Sequence, residues 1–342
     1  MKFPVNVYLA WCCGAVGACL TGAALAQPPG LPASTNHAAP EMAKAVPVKS
    51  WTSPKFKSEV RDNGVIYVAM AVGAVNIYTK SIPNQLIGQI TTGLCDPGGL
   101  ALDANATLYV ANQYGCFDYP SPSINVYPAG QTTPSLTIIK GMYDPIFLAV
   151  SAQDQTIYAS DYGFNILEYA AGQTSLENIV YPRGAFPRGV ALDQSNALYA
   201  SYQLDFNHYG AKPRFRIGKY DAATHNFDDL GIKIEDADAI AFDSSNRLAV
   251  ADFRTNGKGR ISVYQPGSTT PYKVFHGFSD PYAIAFDPDG EVLYVADNGT
   301  REIDELSYPD GKKLGAITGF TINVFGVAVS PPTNQLPHHE AK

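Results

Sequence analysis

Four aspartates and an asparagine recur at one place in a repeated pattern: Asp96, Asp144, Asp236, Asp280 and Asn323, with Phe186 in the remaining copy. Carboxylates and an amide converging on a common point could hold Ca²⁺ or another divalent metal through their oxygens. Such a metal would suit a hydrolase, lactonase or lyase. The competing reading is structural, because Asp-Pro at 96–97, 144–145 and 280–281 is ordinary turn chemistry. Two places further on the pattern varies freely: Gly98, Ile146, Arg188, Asp238, Tyr282 and Phe325. That variety is what a bespoke pocket needs, and tolerated drift gives the same picture. A third group is basic and aromatic. Phe206, His208, Tyr209, Lys212, Arg214 and Arg216 fall in one stretch, and Arg254, Lys258 and Arg260 in the next. With Arg188 nearby, these cations fit a small anionic ligand, since guanidinium groups pair well with planar oxyanions. Solvated loops would also look like this. No serine-nucleophile motif, zinc-spaced histidine pair or glycine-rich phosphate loop occurs, so no residue is assigned a catalytic role. The expected activity is binding of a ligand or protein partner, without catalysis or a cofactor; the metal-dependent enzyme is the alternative.

The elements that position these residues come from a repeat. Leu100-Ala101-Leu102-Asp103, Leu148-Ala149-Val150-Ser151, Val190-Ala191-Leu192-Asp193, Ile240-Ala241-Phe242-Asp243, Ile284-Ala285-Phe286-Asp287 and Val327-Ala328-Val329-Ser330 return at spacings of 42 to 50 residues. That period matches four-stranded propeller blades. Alanine in every second place reads as an innermost strand with no room for more. A second strand follows each of the first five tetrads, as at Leu108–Ala111 and Leu293–Ala296, and a sixth copy at Ile66–Ala69 lacks a tetrad before it. The last tetrad can therefore supply the inner strand of the first blade, leaving no open edge. Ser58–Arg61 is the competing candidate for that strand. The fold expected is an all-β six-bladed propeller over residues 51–332, closed by the C-terminal strand.

Pro281-Tyr282-Ala283-Ile284-Ala285-Phe286-Asp287-Pro288-Asp289-Gly290 followed by Leu293-Tyr294-Val295-Ala296-Asp297 resembles the repeat of NHL and YVTN-type propellers. The resemblance implies the fold and leaves function open, since propellers of this shape include scaffolds, binding proteins, lactonases and lyases. A lyase of this kind would need a central histidine, for which His208 and His276 are the candidates. Neither lies in a recognisable motif.

Alternation along a blade puts the loops before inner strands and after second strands on one face, called the top. Asp103, Asp193, Asp243 and Asp287 read as turn residues, as do Asp161, Asp252 and Asp297. Recurrent tyrosines such as Tyr109, Tyr127, Tyr199 and Tyr264 read as packing.

Lys2, the apolar run Val7–Leu20 and Ala24-Leu25-Ala26 form a signal peptide pattern over 1–26. The run is too short to span a membrane. Val16-Gly17-Ala18-Cys19 is a rival reading as a lipoprotein signal with Cys19 lipidated. Residues 27–50 form a Pro/Ala-rich linker and 333–342 a flexible tail carrying His338-His339. A secreted or periplasmic monomer is expected. In that compartment the remaining cysteines, Cys95 and Cys116, both on the top face of blade two, are expected to pair. Two buried free thiols are the alternative. A formal net charge of −7 gives no basic footprint for nucleic acid.

Overall fold

The computed structural model of the chain describes residues 49–336 except 72, 114–121, 183–184, 205–212 and 255–256. The signal peptide, Cys19, the linker before residue 49, Cys116, Phe206, His208, Tyr209, Lys212 and His338-His339 lie outside the described residues.

Six antiparallel sheets follow one another along the chain. Their inner strands are Pro97–Leu102, Pro145–Val150, Phe186–Leu192, Ala237–Phe242, Pro281–Phe286 and Val324–Val329. Each inner strand packs on the next, and Val324–Val329 packs on Pro97–Leu102, so the six form a closed ring. This is the six-bladed propeller that the repeat implied. Second strands lie between two neighbouring blades and are buried on both faces, as in Val65–Met70 and Leu108–Asn112. They therefore read as unbroken apolar runs of β-formers, without polar alternation.

Ring closure is by strand pairing. Blade one has the order Trp51–Thr52, Leu86–Ile90, Ala74–Thr79, Val65–Met70 and Val324–Val329. Val68 pairs with Val327, Tyr67 with Ala328 and Ile66 with Val329. Ser330 and Val65 then exchange hydrogen bonds, the Ser330 N–H to the Val65 carbonyl and the Val65 N–H to Ser330 Oγ, each 2.9 Å. Gly64 makes this approach possible: its φ is +72° and a Cβ there would sit 2.1 Å from the Ser330 carbonyl oxygen. Across the seam to blade six, the Asn84 amide donates to Glu305 at 2.8 Å and the Lys80 ammonium lies 3.6 Å from Asp287.

The turn aspartates behave as read. Asp103 Oδ1 accepts the N–H groups of Asn105 and Thr107, and Asp193, Asp243 and Asp287 repeat the arrangement. The competing candidate for the closing strand is excluded, and one detail of the sequence reading needs correction. Ser58–Arg61 is no strand but part of a helix, α1 (Phe56–Asp62), which buries Phe56 and Val60 one turn apart. The tightest inner-strand place is also one residue before the tetrad. A Cβ on Gly99, Gly189 or Gly326 would meet neighbouring backbone at 2.6, 2.3 and 2.4 Å respectively. No described helix is long and apolar enough to cross a membrane.

Candidate functional site

In every blade the pairing of inner and second strand slips just before the tetrad. Pro97 faces Asn112 but Leu100 faces Val110, and the same irregularity recurs in the other five blades. A bulge releases its residues from the ladder and re-aims their side chains. The released residues include Gly98, Ile146, Arg188, Asp238, Tyr282 and Phe325, which explains why this place tolerates any residue type. Arg188 forms an ion pair with Asp238 of the next blade and lies over the Phe186 ring, 6.0 Å from its centroid. Tyr282 packs against Phe325 with centroids 5.3 Å apart. Ile146 is buried.

Phe147 was not singled out from the sequence, although it stands where the other blades have glycine or alanine. It stacks on Tyr282, so that Phe147, Tyr282 and Phe325 form a continuous aromatic set at the channel. The channel, lined by Gly99, Gly189, Ala239, Ala283, Gly326 and the tetrad residues beside them, holds a cavity of only about 50 Å³. Pockets for small molecules run to roughly 300–1,000 Å³.

The acidic ring is built by a second, hidden repeat. Residues ending the second strands bind the backbone of the connector before the inner strand. Asn112 Oδ1 accepts from Cys95 and Asp96, Asp161 from Tyr143 and Asp144, Asp252 from Glu235 and Asp236, and Asp297 from Ser279 and Asp280. Asp161, Asp252 and Asp297 thus hold the connectors in place, a structural role. Ring members held this way are partly desolvated. Burial, with the Asp144 charge beside it, pushes the Asp96 carboxyl up to about 7. Burial pushes Asp236 up to about 6, with Arg188 opposing and Asp280 adding to the rise. Asp280 is raised by burial and Asp297, again opposed by Arg188. Arg188 is therefore the counter-ion of the ring on blades five and six. Oδ1 of both Asp96 and Asp236 is buried without a hydrogen-bond partner. Ca²⁺ takes six to eight oxygens, but among the described residues no group of three or more His, Cys, Asp or Glu side chains could hold an ion. The main-chain carbonyl of Asn323 accepts the Ala71 N–H.

The basic residues of blades four and five lie close to carboxylates. Arg216 Nε is 3.0 Å from Asp229 and Arg260 is 2.8 Å from Asp252. Arg254 pairs with Glu235. Arg214 is exposed at the start of the third strand of blade four.

The top face of blades three and four carries an aromatic cluster that sequence reading did not find. Phe186, which replaces aspartate in the ring, is 1% exposed and is clasped by Tyr162 and Phe164 at centroid distances of 5.0 and 5.5 Å. On the connectors leading into these blades, Ile139, Tyr143 and Tyr181 are 53, 66 and 57% exposed. The only signal in the sequence was Phe186 itself, the one ring member that is neither acid nor amide.

No family model matches the chain, and no curated protein matches it. Among solved structures, it is similar to a chain of a nidogen/laminin complex, with a TM-score of 0.63 and 17% identity, over 79% of this chain and 99% of that one. It is also similar to the WD40 β-propeller domain of Doa1, with a TM-score of 0.53 and 16% identity, over 78% and 83% of the two chains. These likenesses concern the fold, and by that fold the chain is a six-bladed β-propeller.

Proposed function

We propose that the protein is an exported, non-catalytic binding propeller that receives a protein partner across the top of blades three and four. The observation that carries this reading is the exposure of Tyr143 and Tyr181, on the connectors into blades three and four, together with the buried Phe186 and the partly buried Tyr162 and Phe164 packed on it. Large rings held out in solvent on a rigid base give contact area at little entropic cost, and tyrosine is a frequent interface anchor. The narrow, aromatic-filled channel favours a surface partner over an enclosed small molecule. One structural neighbour comes from a nidogen/laminin complex, which agrees with a partner-binding role for this shape. Export and the NHL/YVTN-type assignment rest on the leader and on the Pro281–Asp297 repeat. The Cys95–Cys116 disulfide is part of the same proposal. Cys95 is buried and its N–H binds Asn112 at 2.7 Å, only four residues before Cys116.

An anionic partner is a finer version, and it would have to engage Arg214 and Arg216 at the edge of blade four, away from the acidic mouth. The second reading, a metal-dependent hydrolase or lyase, draws on the buried, unpartnered oxygens of Asp96 and Asp236. It requires a stoichiometric divalent ion in purified protein.

The test is a peptide-display selection against the folded protein. Selected binders should lose at least tenfold in affinity on Tyr143→Ala with Tyr181→Ala, and nothing on Tyr272→Ala, an exposed tyrosine at the start of an outer strand of blade five. Binders indifferent to the double substitution would remove the proposed face.

A further inference from the structure

A cavity among the described residues lies away from the top face. It measures about 470 Å³ and is lined by Glu59, Asp62, Asn63, Lys80, Ser81, Asp289, Pro332 and Gln335. Four separate parts of the chain meet there: the end of α1, the turn after the third strand of blade one, the first turn of blade six, and the segment beyond the closing strand. Its size lies within the range of small-molecule pockets, unlike the channel void.

The lining has a definite electrostatic character. Glu59, Asp62 and Asp289 face the cavity, with Asp287 just behind Lys80. Against these four carboxylates stand two cations. Arg61 is taken up by Asp62 at 2.7 Å, and Lys80 lies 3.6 Å from Asp287 and 4.0 Å from Asp289. The side chain of Lys80 is only 18% exposed, so its ammonium is held in the wall and does not sweep the opening. The carbonyl end of α1 at Asp62–Asn63 adds partial negative charge. Asn63, Ser81 and Gln335 contribute neutral hydrogen-bonding groups. Glu59 is steadied in place by the Asn63 amide at 2.8 Å.

We propose that this cavity is a second binding site, for a small polar organic cation of the size of a diamine or amino sugar. Its ammonium would sit between Glu59 and Asp289, with hydroxyl or amine groups on Ser81, Asn63 and Gln335. Because the walls come from both ends of the propeller, an occupant bridges the closing seam. Binding to the folded state alone raises the unfolding temperature by mass action.

The experiment uses the full mature chain with putrescine, glucosamine and, as the neutral control, glucose. Calorimetric titration and thermal unfolding are read together. At least one cation should bind saturably and raise the melting temperature, while glucose does neither. Glu59→Gln with Asp289→Asn should weaken that cation at least tenfold and abolish the thermal shift. Asp289→Lys alone, at an exposed turn position, should do the same by placing a cation in the site. Tyr143→Ala with Tyr181→Ala should leave it unchanged, which separates this site from the top face. No binding by either cation, equal binding of glucose, or binding that survives both sets of substitutions would overturn the proposal.

Discussion

The ring of Phe147 in blade three stacks on that of Tyr282 in blade six, with centroids 5.3 Å apart and planes 30° from parallel. These blades are opposite each other in a six-membered ring, so the contact spans the channel. Phe147 is 6% exposed and no other blade has a side chain larger than alanine at its place. Phe147→Ala should therefore destabilise by roughly 3–5 kcal/mol, the usual cost of emptying a buried aromatic site. The enlarged void would be lined by apolar groups and should take up xenon or benzene. Denaturant unfolding checks the first outcome and ligand-dependent unfolding the second. A loss below about 1 kcal/mol would mean that the ring is not packed as described.

Cys95 and Cys116 should form one disulfide, which in the chain-entropy view contributes roughly 3 kcal/mol for a loop of this length. Intact mass should rise by two hydrogens on reduction. Two alkylatable thiols in denatured, unreduced protein would exclude it.

Asp96 and Asp236 set a pH dependence whose sign can be worked out. Their folded carboxyls are raised to about 7 and about 6, above the roughly 3.9 of an unfolded aspartate. Between those values the unfolded chain releases protons that the folded chain keeps. Their contribution is thus fully present below about pH 4 and is lost as pH rises through 6 to 7. Asp96→Asn removes one such group without removing its volume. Its melting temperature relative to wild type should climb from pH 5 to pH 8, by about 2–4 °C for each kcal/mol in a domain of this size. A constant difference across that range would show that Asp96 does not titrate there.

What the sequence made legible follows from what repetition can carry. The tetrads, the second strands and the closure by Val327–Ser330 all recur with apolar character, so their period exposes the ring. Glu59 and Arg61 argue against a central strand at Ser58–Arg61, but the helix there is not legible, because α1 buries only Phe56 and Val60, too few positions to mark a helical period. The acidic ring was legible as a ring, but its support was not. The bonds from Asn112, Asp161, Asp252 and Asp297 to the neighbouring connector join residues 16 to 18 apart, a relation visible only once the strands are paired. The Tyr162–Phe164–Phe186 cluster joins two blades through residues that do not recur. Departures from a repeat mark where to look, as Phe186 and Phe147 do, without saying what they touch.

The closing strand offers the sharpest test of the architecture. Deleting everything from Phe325 onward removes the partner of Val65–Met70 and strips the inner wall from blade one. Val68, Ile66 and Val327 are all within 4% exposure in the closed ring, and their apolar surface would be left facing water. The truncated chain should be insoluble, or compact without cooperative unfolding. Deleting only Pro332 to Lys342 leaves every ladder intact and keeps the Ser330–Val65 bonds, so that variant should unfold cooperatively near the wild-type temperature. It also removes Pro332 and Gln335 from the seam cavity, and any cation bound there should weaken while top-face binding is retained. If the longer deletion unfolds as cooperatively and at the same temperature as the intact chain, Val324–Val329 does not close the ring in solution.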